Sequence, residues 1–176
     1  SQNRGSMCYD RTFRVCLFFG GAPGEKISDT WRWNGVDWLE LECKEPPTHL
    51  GWFALAWCES LKQTVLVGET VKGEQRMCVY VGPRWHTLET NVPWGREDGA
   101  GLASGGAGLL LHGGNKRGCG RDDTGEFDGA WNSSNGLFQG GWRELTGQCT
   151  PRFDTEEVMF YDASRKLTYL IGTDWD

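Results

Sequence analysis

Residues 7–21 read MCYDRTFRVCLFFGG, and residues 158–173 read VMFYDASRKLTYLIGT. Each is an apolar run ending in Tyr-Asp, a few polar turn residues, and a second apolar run that stops at glycine. Two stretches between them share the outline: FALAWCESLKQTVLVGE at 53–69 and GAGLASGGAGLLLHGG at 99–114. The glycines that close the second runs are Gly20, Gly68, Gly113 and Gly172, separated by subtraction by 48, 45 and 59 residues. Self-similarity at a period of 20–50 residues or a little more marks a repeat architecture.

A second landmark keeps the same spacing. After each glycine comes a loop, a strand, a turn and a Trp-bearing strand: DTWRWNGVDWLEL at 29–41, MCVYVGPRWHTLE at 77–89 and FDGAWNSSNGLFQGGWREL at 127–145. Their closing tryptophans, Trp38, Trp85 and Trp142, are 47 and 57 residues apart by subtraction. Both landmarks lengthen together in the third unit. That unit therefore carries an insertion of about ten residues, assigned to NKRGCGRDDTGE (115–126) and NSSNGLFQGG (132–141).

Each unit thus reads as four short strands in two hairpins. The first hairpin turns at DRTFR, CESLK or DASRK; the second turns at Asn34-Gly35 or Gly82-Pro83. Asn-Gly between apolar strands is a primed-turn signal. No apolar period of 3.6 residues persists, which excludes a helical solenoid. The expected fold is all-β: β-propeller blades of about three and a half four-stranded units, with boundaries near 4–47, 48–94, 95–150 and 151–176, the last partial. Three and a half units in one chain make an incomplete ring, whose open sheet edges invite a further chain. A second copy is one way to complete it, two copies approaching seven blades; a longer propeller is the other.

The tryptophans fit this scheme. Trp31 and Trp33 are two apart on a strand and share one face, and Trp38 follows on the next strand, expected to pack on the adjoining blade. An aromatic ring brings 150–250 Å² of burial, roughly what a wedge-shaped gap between sheets requires.

Composition narrows the function classes. The chain has 176 residues with 10 Trp, 26 Gly and a net charge of −6. Its basic residues are scattered, so it has no cationic face to release phosphate counterions, and a nucleic-acid partner is not expected. It has no run of 18 apolar residues and no charged-then-apolar start, so neither a membrane span nor a signal peptide is expected. Seven cysteines without C-x-x-C or zinc spacing read as reduced, structural thiols in a reducing, cytoplasmic setting; the alternative is one exposed pair in an exported protein. No G-x-S-x-G, P-loop or H-E-x-x-H pattern occurs.

At these residues the chain resembles the kelch repeat family, in the form similar to the central domain of galactose oxidase. The resemblance rests on the strand ends LFFGG and LLHGG, the DTWRWNG…W hairpin, the proline-bearing linker EPPTHLGW and the Tyr-Asp strand ends, and it covers residues 4–172. It implies a toroid that binds proteins or small ligands on its loop faces. It does not extend to copper: the histidines (His49, His86, His112) and tyrosines (Tyr9, Tyr80, Tyr161, Tyr169) match no Tyr/His copper set with a Tyr-Cys crosslink. No cofactor is implied, and a non-catalytic binding or assembly module is the expected role. The alternative is a carbohydrate-binding or sugar-isomerising kelch-type protein.

Two inter-unit linkers are expected to gather on one rim: EPPTHLGW, with His49 and Trp52, and NVPWGRED, with Trp94 and Arg96. These four are the candidate ligand-binding residues, because an exposed indole beside a cation suits a sugar ring or a partner side chain. Asp122, Asp123, Glu126 and Asp128 gather in a glycine-rich loop, as oxygen ligands for calcium would, but without EF-hand spacing. Asn132 begins an Asn-Ser-Ser sequon, which matters only in a secreted chain.

Overall fold

A computed structural model describes residues 4–21, 28–90, 92, 100–116, 119–120, 123–132, 137–145 and 158–172. All regular structure among them is antiparallel β, and none of them forms a helix long and apolar enough to cross a membrane.

The chain builds one four-stranded meander after another. The first sheet orders β1 (Arg4–Asp10), β2 (Val15–Gly21), β3 (Thr30–Trp33) and β4 (Trp38–Leu41) side by side. The second repeats this with β5 (Leu50–Cys58), β6 (Gln63–Thr70), β7 (Gln75–Val81) and β8 (Arg84–Leu88). The third begins with β9 (Gly101–Ser104) and β10 (Leu109–His112). A small hairpin, β11 (Asn115–Lys116) and β12 (Cys119–Gly120), then intervenes before β13 (Thr124–Phe127). A second, β14 (Ala130–Asn132) and β15 (Leu137–Gln139), precedes the closing strand β16 (Trp142–Leu145). The third unit's extra length is therefore two added hairpins, in the two segments named from spacing. The chain's last described pair is β17 (Val158–Asp162) with β18 (Leu167–Ile171).

Three first hairpins close with four-residue turns, 11–14, 59–62 and 163–166, and the last residue of each is a base in the left-handed region: Arg14, Lys62 and Lys166, at φ 56°, 53° and 55°. Asp10 and Asp162 cap their turns, accepting from the Phe13 amide (2.9 Å) and from the Ser164 and Arg165 amides (2.8 and 3.1 Å). In the third sheet Gly105 N–H donates to the Gly108 carbonyl (2.9 Å), which extends the ladder and leaves a two-residue turn with Gly106 at φ 77°. Only glycine fits at 108, where a Cβ would stand 1.7 Å from the Phe127 carbonyl oxygen.

The second hairpins divide. Gly82-Pro83 is a two-residue turn, with Val81 opposite Arg84. Asn34-Gly35 is displaced by one residue: Trp33 pairs with Trp38 and Asn34 N–H donates to the Asp37 carbonyl (3.3 Å), which leaves Gly35 and Val36 at the centre of the turn. There the Asn34 carboxamide oxygen accepts from the Val36 and Asp37 amides (2.9 and 3.0 Å), and only Gly35 has positive φ. The Asn34 side chain thus reinforces the backbone turn.

The sheets stack. β1, β5, β9 and β17, the first strands of successive sheets, are neighbours in that order. One core lies between the first and second sheets: Leu17, Phe19, Phe53, Leu66, Tyr80 and Trp85 among others. A second lies between the second and third: Ala56, Val65, Val67, Val79, Leu109, Leu111 and Phe127 among others. Alternate residues of β6, Val65 and Val67 against Leu66, enter different cores. This is why the second sheet's strands are apolar almost throughout.

The closing tryptophans share one role. Each packs on the aromatic residue directly across its hairpin: Trp38 on Trp33, Trp85 on Tyr80 and Trp142 on Phe127, at centroid distances of 5.6, 5.3 and 5.4 Å. Trp85 faces the first sheet, touching Phe19 (5.5 Å) and donating from Nε1 to Thr30 Oγ1 (3.0 Å). Trp142 faces the second sheet's core. Trp38 occupies the corresponding place on the first sheet, but that face has no described neighbour, and Trp38 is 44% exposed against 1% for Trp85.

Candidate functional site

Strand direction puts the first-hairpin turns at one end of the stack. The β6–β7 turn lies at the other, and the inter-sheet linker runs down to it alongside β8. At the β7–β8 turn Lys44 N–H donates to the Pro83 carbonyl (2.9 Å) and Trp85 N–H donates to the Lys44 carbonyl (3.0 Å); at the β6–β7 end Val71 N–H donates to the His49 carbonyl (2.8 Å). Glu45 and His49 both adopt left-handed backbone, at φ 54° and 59°, so the linker bends at two ordinary residues that the surrounding bonds hold in place.

Between this linker and the β6–β7 turn opens a cleft of about 430 Å³, lined by His49, Thr70, Lys72, Glu74, Arg76 and Thr87 together with the Pro46-Pro47-Thr48 segment. The turn supports itself. Thr70 Oγ1 accepts from the Lys72 and Glu74 amides (3.3 and 3.1 Å), and Thr70 N–H donates to the Glu74 carbonyl (2.8 Å). Arg76 pairs with Glu74 at 2.7 Å, and His49 Nδ1 lies 3.1 Å from Thr48 Oγ1. The only carboxylate in the described lining is thus paired. The lining offers hydroxyls, an imidazole and the Lys72 ammonium, which suits hydrogen bonding to a polar group.

His49 therefore lies in an open cleft. Trp52, three residues on, does not join it: its side chain is buried in the core between the second and third sheets. The pairing register shifts between Leu50 and Trp52, and this irregularity turns the indole inward. Trp94 and Arg96 lie outside the described residues, as does Asp122. Of the other acidic candidates, Glu126 pairs with Arg143 across β13 and β16, and Asp128 is exposed. Among the described residues no three His, Cys, Asp or Glu side chains come together as a metal set. Thr70, Lys72, Arg76 and Thr87 were not singled out from sequence. Their signal was positional, because the β6–β7 turn must reach the same end as the linker once the first hairpin's direction is fixed.

At the opposite end a cleft of about 260 Å³ runs between the first two sheets, lined by Phe13, Val15, Arg32, Leu41, Tyr80 and Pro83 among others. Burial, then the nearby Cys43 and Asp10, pushes the Tyr80 hydroxyl up to about 12. Burial pushes the Cys8 thiol up to about 12 as well, and raises Cys43, Cys58 and Cys78. These four thiols stay protonated at neutral pH and act as packing groups, not nucleophiles.

The chain matches no protein-family model, and comparison with curated proteins finds no match.

Proposed function

We propose that the stacked sheets are successive kelch-like blades of a β-propeller arc, and that the arc is a non-catalytic binding and assembly module working through its linker-end rim and its terminal faces. One observation carries this reading: Trp85 and Trp142 each point toward the preceding sheet while the first strands run side by side, as wedge-shaped sheets around an axis require. The linker-end cleft supports a binding role. Its backbone is fixed before any ligand arrives, so little ordering entropy opposes binding.

The carbohydrate alternative needs a ring-stacking platform. The described cleft lining contains no Phe, Tyr or Trp, and Trp94 is the residue on which that alternative stands. A glycan array with wild type and the Trp94→Ala variant separates the two readings. No saturable binding at millimolar sugar is expected. Saturable binding that disappears in the variant would replace the module reading with the carbohydrate one.

A further inference from the structure

Among the described residues the first and last sheets each leave a face uncovered, and the two faces are of opposite kinds. On the first sheet the uncovered side carries Met7, Tyr9, Phe18, Trp31, Trp33 and Trp38, with Phe18 and Trp38 edge to face at 6.2 Å. Register assigns these to the positions that, in the second sheet, hold Leu55, Trp57, Leu66, Cys78, Tyr80 and Trp85, the side that packs on the preceding sheet. On the last sheet the uncovered side carries Val158, Phe160, Leu167, Tyr169 and Ile171, four of them exposed and Phe160 stacked on Tyr169 at 5.1 Å. Tyr169 and Ile171 correspond to Leu17 and Phe19, the fully buried residues that the first sheet offers to the second. Every internal junction mates one face of each kind.

We infer that a second copy of this chain covers the first sheet's free face with the free face of its own last sheet, head to tail. This rests on the blade reading above. A twofold pair makes this contact twice and closes, whereas a head-to-tail contact that did not close would grow into a filament.

Side-chain chemistry at the junctions fixes the register of the contact. Thr64, second in β6, donates its hydroxyl to the carboxylate of Asp10, the last residue of β1 (2.7 Å). The corresponding pair at the next junction, Leu109 and Cys58, is apolar on both sides and shares one core. At the third junction Gly105 stands where Asp10 stood, and Thr168 donates to the carbonyl of the preceding Ser104 (3.1 Å). The same positions at the open ends are Cys16, half-buried on the first sheet, and Asp162, at the end of β17. The second copy's Asp162 therefore meets Cys16.

The test uses the full chain. Sedimentation velocity should give a species of twice the 19.7 kDa chain mass, and Ile171→Glu, on an exposed side chain, should convert it to a folded monomer. Under mild oxidation Asp162→Cys should form a disulfide-linked dimer through native Cys16, reduced at least tenfold when Cys16 is also changed to Ser. In parallel, Asp10→Cys with Thr64→Cys should form an intrachain disulfide. A monomeric wild type with no interchain link overturns the inference; if the intrachain bond still forms, the stacked-blade reading stands. Failure of both bonds in folded protein overturns the two together.

Discussion

Trp85 and Trp38 occupy one position in two consecutive sheets and live in different worlds. Each closes its hairpin on a facing aromatic ring. Trp85 is then sealed by Phe19 and held through its indole N–H by Thr30; Trp38 ends at the edge of the described structure. The local sequence program is the same, so the difference comes from the neighbouring sheet. In a repeat architecture each unit contacts only its neighbours, so the same position is sealed or open according to the sheet beside it. The contrast also explains why aromatic content alone does not locate the core: the first sheet has Trp31, Trp33 and Trp38, yet the deepest packing surrounds the aliphatic second sheet.

The contrast is broken most directly by truncating both indoles. Trp85→Ala should cost about 3–5 kcal/mol, from lost burial plus a cavity and the orphaned Thr30 hydroxyl. Trp38→Ala, at dilutions where the chain is monomeric, should cost under about 1 kcal/mol. Urea unfolding of the two variants decides it, and equal costs would erase the distinction.

Glycines sharpen the same comparison at a smaller scale. A Cβ at Gly68 would stand 2.5 Å from the Trp52 carbonyl oxygen and 2.8 Å from Phe53 Cβ, in the buried second sheet where neither can yield. A Cβ at Gly5 would meet the ring of Phe18, 2.3 Å away, on the uncovered face where that ring is free to swing outward. Gly68→Ala should therefore lose about 1–3 kcal/mol, and Gly5→Ala less than half as much, by the midpoint of chemical denaturation. Thr30→Val comes next, leaving the buried Trp85 N–H unpaired at a cost of about 1–2 kcal/mol, read by thermal melting.

The smallest effect near neutrality is a pH dependence confined to the buried junction. Cys8 and Tyr80 ionise at about 12 when folded, above their ordinary 9.0 and 10.0. The unfolded chain therefore releases these protons first as pH rises. Their contribution is complete below pH 9 and is lost progressively from there toward 12. Melting temperature should be flat from pH 7 to 8.5 and fall above 9, and Tyr80→Phe should flatten part of that fall.

Much of this architecture was legible in the sequence because hairpins announce themselves locally. Glycine-ended strands, polar turn clusters and recurring tryptophans placed the first-hairpin turns at DRTFR, CESLK and DASRK, and the structure puts turns there. The third unit's insertion was legible as a change in spacing and proves to be two small hairpins. What could not be read was which face a residue occupies when both faces are buried. LGWFALAWC is apolar on both sides, so alternation gives no direction, and the register shift beside Gly51 sends Trp52 into the core while His49 stays in the cleft. Asn34-Gly35 was legible as a turn, but its centre falls one residue later, because Asn34 N–H pairs with the Asp37 carbonyl while its side chain accepts from the Val36 and Asp37 amides. The cleft itself joins a linker to a turn more than twenty residues away, a proximity that exists only once the sheet is formed.

The central claim is that one packing position recurs in successive sheets and is left open on the first. Hydroxyl-radical footprinting of the tryptophans, resolved by peptide mass, tests it. At low protein concentration the account predicts that Trp38 is oxidised at least tenfold faster than Trp85, with Trp142 between them. Equal oxidation of Trp38 and Trp85 in the folded monomer would contradict it.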